Sequence, residues 1–177
     1  MIGFTGLSSV PSPNPRPCET PTRSEFRVAC SRFATGVAIV SLRAADGSPH
    51  GLTVNSFTSV SCHPPLILVC IDARCTVLPH FRVGGCFAVN VLSEHQRDYS
   101  VRFSECMDAR FEGVRWEPGA TGAPLIHGCL AWLEARVERM IEAGDHIIVL
   151  GAVERAEAFE GRPLVYHNSR YSGLLRL

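Results

Sequence analysis

The sequence predicts a mainly β fold: an antiparallel barrel with helices at its rim. Three observations predict it. Strand-like runs are at least as numerous as helical ones, and hairpin signals join most of them. Two long runs near the C-terminus, 129–143 and 145–156, are joined at Ala143-Gly144; in the first, Leu133, Ala135 and Val137 alternate with Arg136 and Glu138, as in a strand with one buried face. Finally, no strand is followed by G-x-G-x-x-G and no Walker A sequence is present, which argues against a doubly wound nucleotide-binding domain.

In chain order, residues 24–36 read as a helix, with Phe26, Ala29, Cys30 and Phe33 on one stripe, Ser24 as its cap and Gly36 as its stop. Residues 37–42, VAIVSL, form a β-branched strand, and Asp46-Gly47 turns the chain into the strand from Gly51. A Ser/Thr/Asn-rich turn follows, broken at Pro64-Pro65, and Leu66–Ile71 reads as an uninterrupted buried strand. Thr76–Val83 is expected as a short helix with Pro79 in its first turn, stopped by Gly84-Gly85. Phe87–Leu92 is a strand, Ser93 opens a helix to about Phe103, and 104–129 is irregular, punctuated by Gly and Pro.

The 177 residues suffice for one domain and are too few for two of ordinary size. Seventeen basic and seventeen acidic residues cancel, without a like-charge block to attract nucleic acid. The apolar run 64–71 is far too short to span a bilayer. Residues 1–23 are expected to be a flexible Pro/Ser-rich lead-in without a secretory pattern, so that order begins near Ser24. Eight cysteines show no C-x-x-C spacing and lie mostly in apolar runs, which predicts free thiols and a cytoplasmic protein.

The densest chemistry lies in Gly51–Asp72. Asn55, Ser56, Thr58, Ser59 and Ser61 carry more donors and acceptors than a turn needs, as a planar, heteroatom-rich ligand would require. Asp72-Ala73-Arg74-Cys75-Thr76 follows a strand and opens the expected helix, where free N–H groups suit a phosphate, or serve as a plain cap. Asn90 is a lone amide in an apolar strand that needs a partner from backbone or ligand. His146 stands at the turn between the two long strands, able to move protons or simply solvated. Tyr166, His167, Arg170 and Tyr171 could stack on an aromatic ligand or seal the barrel. No nucleophile elbow, paired carboxylates or metal-ligand spacing appears.

Together these segments resemble the short-chain flavin reductase family, the reductase components of two-component flavin-dependent monooxygenases. The resemblance spans about residues 24–174 and is carried by Phe33-Ala34-Thr35-Gly36-Val37, Gly51 to Phe57, Ser59-Val60-Ser61, Pro64-Pro65-Leu66, Phe87 to Leu92, Gly144-Asp145-His146 and Pro163 to Tyr166. It implies a Greek-key split β-barrel of the FMN-binding type, working as a homodimer and passing reduced flavin to a separate monooxygenase. By that resemblance, Thr53, Val54, Asn55 and Ser56 match the segment on the flavin ring and Ser59, Val60 and Ser61 the ribityl chain; Cys70, Ile71 and Asp72 match cofactor-binding positions, Cys75 and Thr76 the phosphate end, and Asn90 and Val91 a further flavin strand. His146, Thr35, Gly36 and Tyr171 match the nicotinamide side, His146 as the catalytic residue. Cys75 replaces the family's hydroxyl residue, which leaves FMN or FAD open, as are NADH and NADPH. The implied reaction is hydride transfer from NADH to flavin between rings held roughly 3–3.5 Å apart, with N–H donors of Asn55–Ser56 facing the ring edge where negative charge builds. The competing readings are a split barrel that stores or senses flavin without turnover, and a pyridoxamine-phosphate-oxidase-like enzyme, whose basic substrate site is not found.

Overall fold

A computed structural model describes residues 20–105 and 109–174. Helix α1 (Arg23–Ser31) precedes β1 (Thr35–Gly36), β2 (Ala38–Arg43), β3 (Pro49–Val54), β4 (Thr58–Cys62) and β5 (Pro65–Asp72). Then come β6 (Cys86–Val91), α2 (Arg97–Glu105), β7 (Trp116–Pro118), β8 (Pro124–Ile126), β9 (Ala131–Ala143), β10 (His146–Ala158), β11 (Val165–His167) and β12 (Arg170–Ser172). Seven strands form one antiparallel sheet in the order β3-β2-β6-β9-β10-β5-β4; β1, β11 and β12 form a small second sheet, and β7 pairs with β8.

The long sheet curls so that inward side chains from strands near both of its edges share one core: Val40 and Leu42, Val54, Ile67, Val69 and Ile71, Phe87 and Val89, Ala135, Val137 and Val149. This is the expected barrel. On β5 only Ile67, Val69 and Ile71 are buried, while Leu66, Leu68 and Cys70 are half-buried. The run expected to be buried throughout therefore alternates, because its other face looks outward and a continuous apolar run does not reveal which side is covered. β2 is buried on both faces: its Ile39, with Val37 just before the strand, packs outside the barrel with Phe103 of α2, Leu92, Val114, Ile126 and Leu164. Gly51 permits this approach, since a Cβ there would meet Phe103 Cε1 at 2.9 Å and the Val40 carbonyl at 3.0 Å.

The helix ends differ from expectation. Thr22 caps α1, accepting from the Glu25 N–H at 3.3 Å while the Thr22 N–H donates to Glu25 Oε2 at 2.8 Å. This capping box needs an acid three residues on, and Ser24 has Arg27 there, so the helix is capped at Thr22 and not at Ser24. The helix ends at Ser31, and Gly36 belongs to β1. Apart from residues 20–23, the expected lead-in lies outside the described residues. Thr76–Val83 holds only a three-residue 3₁₀ turn, Leu78–His80, with i→i+3 bonds; Pro79 has no N–H to continue a helix. The stretch expected as irregular contains the β7–β8 hairpin, and the Thr58–Cys62 part of the expected turn is the edge strand β4.

Among the described residues the cysteines 30, 62, 70, 75, 86 and 129 are free thiols, and no helix is long and apolar enough to cross a membrane.

Candidate functional site

The sheet's edge strands β3 and β4 do not pair with each other, so the barrel is split between β3 and β5. A cavity of about 320 Å3 opens in that split. Leu52, Thr53 and Val54 of β3 form one wall and Cys70, Ile71 and Asp72 of β5 the other, with Asn55, Ser56, Cys75, Phe103, Ser104, Arg110 and His146 around them.

The hydroxyls that suggest a ligand cradle are largely committed to the protein. Ser56 Oγ donates to the Cys70 carbonyl and accepts from the Cys70 N–H, both at 3.0 Å. It imitates a strand partner and clips the loop after β3 to β5 across the split. Thr53 Oγ1 donates to the Ser100 carbonyl at 2.7 Å and ties β3 to α2. Asn55 is exposed, and its side-chain amide has no partner among the described residues.

His146 opens β10 opposite Asp72 of β5, which brings the hairpin's imidazole to the cavity. Its Nδ1 lies 2.7 Å from Asp145 Oδ1. That hydrogen bond, reinforced by the charge of the ring, holds the Asp145 carboxyl below its ordinary pKa. An ionised carboxylate only accepts, so Nδ1 carries the proton and Nε2 is left for a ligand. Asp72 receives the Arg74 backbone N–H at 2.8 Å and its guanidinium at 3.1 and 2.9 Å, and these bonds hold its carboxyl far below the carboxylate range. Arg74 is thereby turned to Asp72.

Two further cavities adjoin the first. One, of about 210 Å3, shares Thr53, Val54, Asn55 and Ser104 with it and adds Val37, Ser100, Tyr166 and Tyr171. Tyr171 Oη and Ser100 Oγ are 2.9 Å apart, the Tyr166 and Tyr171 rings meet at 5.3 Å, and the Arg97 guanidinium lies 5.6 Å from the Tyr171 ring centre. Thr35 pairs with Tyr166 across β1 and β11, and its buried hydroxyl has no partner among the described residues. The other cavity, of about 460 Å3, shares Arg110 with the first and adds His50, Thr76 and Phe111. The Arg110 Nη1 donates to the Gly51 carbonyl at 2.7 Å, fixing the guanidinium at the junction. The two outer cavities share no lining residue, so the three run in a row through the split. An apolar-walled slot with polar groups at one edge, flanked by a tyrosine-lined and an arginine-bearing chamber, fits a flavin with a nicotinamide beside it. The family profile of the flavin reductase like domain matches residues 30–175.

The chain belongs to this family. It is 44% identical over 139 residues to a Rhizobium meliloti (strain 1021) protein described as a probable flavin reductase, covering 78% of this chain and 44% of that one. It is 35% identical over 152 residues to the reductase subunit HsaB of a flavin-dependent monooxygenase from Mycobacterium tuberculosis, covering 84% and 81%. The structure of the Streptomyces globisporus C-1027 NADH:FAD oxidoreductase SgcE6, in complex with NAD and FAD fragments, superimposes with a TM-score of 0.81 at 34% identity, covering 86% of this chain and 93% of that one. The chain thus spans less than half of the Rhizobium relative and about four-fifths of HsaB.

In this flavin reductase-like domain, nine of the residues carried over as flavin- or nicotinamide-binding meet in the central cavity: Thr53, Val54, Asn55, Ser56, Cys70, Ile71, Asp72, Cys75 and His146. Thr76 lines the arginine-bearing chamber, and Tyr171 the tyrosine-lined one. Ser59, Val60 and Ser61 lie on edge strand β4 outside all three cavities, with Val60 48% exposed; Ser61 Oγ accepts from the His63 N–H at 3.2 Å and shapes the turn. Asn90 is fully buried, donating to the Ile39 carbonyl at 3.1 Å and Ser41 Oγ at 2.8 Å and accepting from the Ile126 N–H at 2.7 Å. It joins β2, β6 and β8 and leaves nothing for a ligand, and Val91 packs against the barrel core. The phosphate end has no helix macrodipole, since the turn after Thr76 is three residues long. Arg110, Ser100, Ser104 and Phe103 were not singled out, because their segments read as a plain helix and an irregular loop.

Proposed function

We propose that this chain is an NADH-dependent flavin reductase that hands reduced flavin to a separate monooxygenase. The observation that carries the reading is the row of contiguous cavities in the barrel split, with His146 at the wall and a tyrosine pair next door. It is supported by relatives named as reductase components of monooxygenases. When bound, the flavin accepts hydride from the nicotinamide, and those two groups carry that chemistry. The chain's own part is positional. Leu52, Ile71 and Phe103 exclude water from the ring, and the backbone around Asn55–Ser56 offers N–H donors to its electron-rich edge. His146, with Nδ1 fixed by Asp145, presents Nε2 to orient the carboxamide or hold a proton. Tyr171, anchored to Ser100, lines the chamber assigned to nicotinamide, and Thr35 and Gly36 pair with Tyr166 and Val165 of β11 beside it. Homodimerisation is part of the same reading, supported by α1, which buries no residue and leaves Phe26 60% exposed, with Phe33, just beyond its end, 78% exposed.

The test is to mix the purified chain with NADH or NADPH and FMN or FAD and follow absorbance at 340 nm. Flavin-dependent consumption of NADH is expected. A chain that binds flavin and consumes neither nicotinamide is a storage or sensor protein, and the reductase reading falls.

A further inference from the structure

A further cavity, of about 670 Å3, lies between α1 and the tip of the β11–β12 hairpin and shares no lining residue with the three in the split. Arg23, Ser24, Arg27 and Arg32 line it from the helix side, Asn168 and Ser169 from the hairpin. α1 buries no residue, and the Asn168 N–H, donating to the Ser31 carbonyl at 2.8 Å, ties the two sides together across the gap. Arg23 and Arg27 are four residues apart, so their like charges share one face of the helix, an arrangement that weakens a helix unless an anion offsets it. The chain supplies no such anion. Among the described residues none of the three guanidiniums has an ion-pair or hydrogen-bond partner, and no acid lines the cavity. Glu25, the acid of α1, is turned to Thr22, accepting from its N–H at 2.8 Å and its hydroxyl at 2.7 Å.

Both walls of this cavity run into the chamber assigned to nicotinamide. α1 leads through residues 32–34 to Thr35, which pairs with Tyr166, and Asn168 stands two residues, about 7 Å, beyond Tyr166 along the hairpin. From this juxtaposition we infer that the α1 cavity binds the diphosphate bridge of the dinucleotide hydride donor, with Arg23, Arg27 and Arg32 on its oxygens and the Ser24 hydroxyl and Asn168 amide beside them. One ribose separates a nicotinamide ring from its diphosphate, a span of the same size. A guanidinium presents a fork of donors that fits phosphate oxygens, and a diphosphate has charge and acceptors enough for three of them, where a single carboxylate does not. The inference rests on the reductase reading, and a hydride donor without phosphate serves as its internal reference.

The experiment compares kcat/KM for NADH with that for 1-benzyl-1,4-dihydronicotinamide, at saturating flavin, in wild type, Arg23→Ala, Arg27→Ala, Arg27→Lys and Arg139→Ala. Arg23→Ala and Arg27→Ala are each expected to cut the NADH-to-benzyl ratio about tenfold, the worth of one hydrogen bond between charged groups, through KM for NADH. Arg27→Lys, which keeps the charge, is expected to lose less, and Arg139→Ala, which removes an exposed arginine elsewhere, to keep the ratio. Inorganic diphosphate is expected to compete with NADH in wild type and to need about tenfold more in Arg27→Ala. Three results overturn the inference: an unchanged ratio in both alanine variants; an equal fall in Arg139→Ala, which would make the effect one of overall charge; or diphosphate that competes equally well in wild type and Arg27→Ala. If wild type oxidises neither donor, the reductase reading is what fails.

Discussion

Replacing Asn90 by alanine separates a structural amide from a cofactor-binding one. The side chain is 0% exposed and makes bonds of 3.1, 2.8 and 2.7 Å to Ile39, Ser41 and Ile126. Alanine removes all three and strands the Ile126 N–H in the interior, beside the Ile39 carbonyl. Each stranded group costs about 1–3 kcal/mol, and neighbours in one network do not add fully, so the expected loss is about 3 kcal/mol. For a domain of this size that lowers the melting temperature by roughly 6–12 °C. Total stability of about 5–15 kcal/mol keeps the variant folded at room temperature. Thermal unfolding followed by circular dichroism, with flavin KM measured at 25 °C, reads both consequences. A lowered midpoint with unchanged flavin KM is expected. An unchanged midpoint with a KM raised severalfold would refute the assignment and return Asn90 to the flavin.

Three further predictions follow from the same geometry. His146→Ala should lower kcat/KM for NADH by about tenfold, the loss of one hydrogen bond to a polar ligand group, with stability unchanged; wild-type kinetics would remove His146 from the site. Glu134 is 3% exposed and accepts from the Ala120 N–H at 3.2 Å, the Thr121 N–H at 2.7 Å and Thr121 Oγ1 at 2.6 Å. Burial raises its pKa, but those donors and Arg155 outweigh it, so the folded pKa lies below the ordinary 4.5; its stabilisation is present above the unfolded pKa and is lost as pH falls through the folded one. The melting temperature of wild type should therefore fall more steeply below pH 4.5 than that of Glu134→Gln, and parallel curves would contradict the assignment. Gly151→Ala puts a Cβ 2.7 Å from the Phe87 ring at the β9–β10 register shift, and should cost about 1–3 kcal/mol by denaturant unfolding.

Much of the fold was legible because its signals are local. The alternation in β9, the Asp46-Gly47 turn, whose glycine has φ +85°, and the β-branched run of β2 each sit within a few residues. The helix starts were less so. Ser24 and Thr22 are both good caps by type, and only the position of Glu25 decides between them. The site was legible as a segment, whereas the partners its hydroxyls take within the protein were not. Ser56 finds its partner fourteen residues away and Thr53 forty-seven away, so neither hydroxyl's use can be read from its neighbours.

By itself, then, the sequence determined the antiparallel barrel, the family and the segments that come to line the split, because side-chain period and turn residues act over short range. Only the tertiary structure decided which polar groups remain for a ligand. The curl of the sheet leaves β3 and β5 unzipped, sets Ser56 to bridging them, buries Asn90, and brings His146 and Arg110 from distant loops to the same opening. A hydroxyl or amide is a donor wherever it stands in the chain, and what it donates to is fixed only when the strands close.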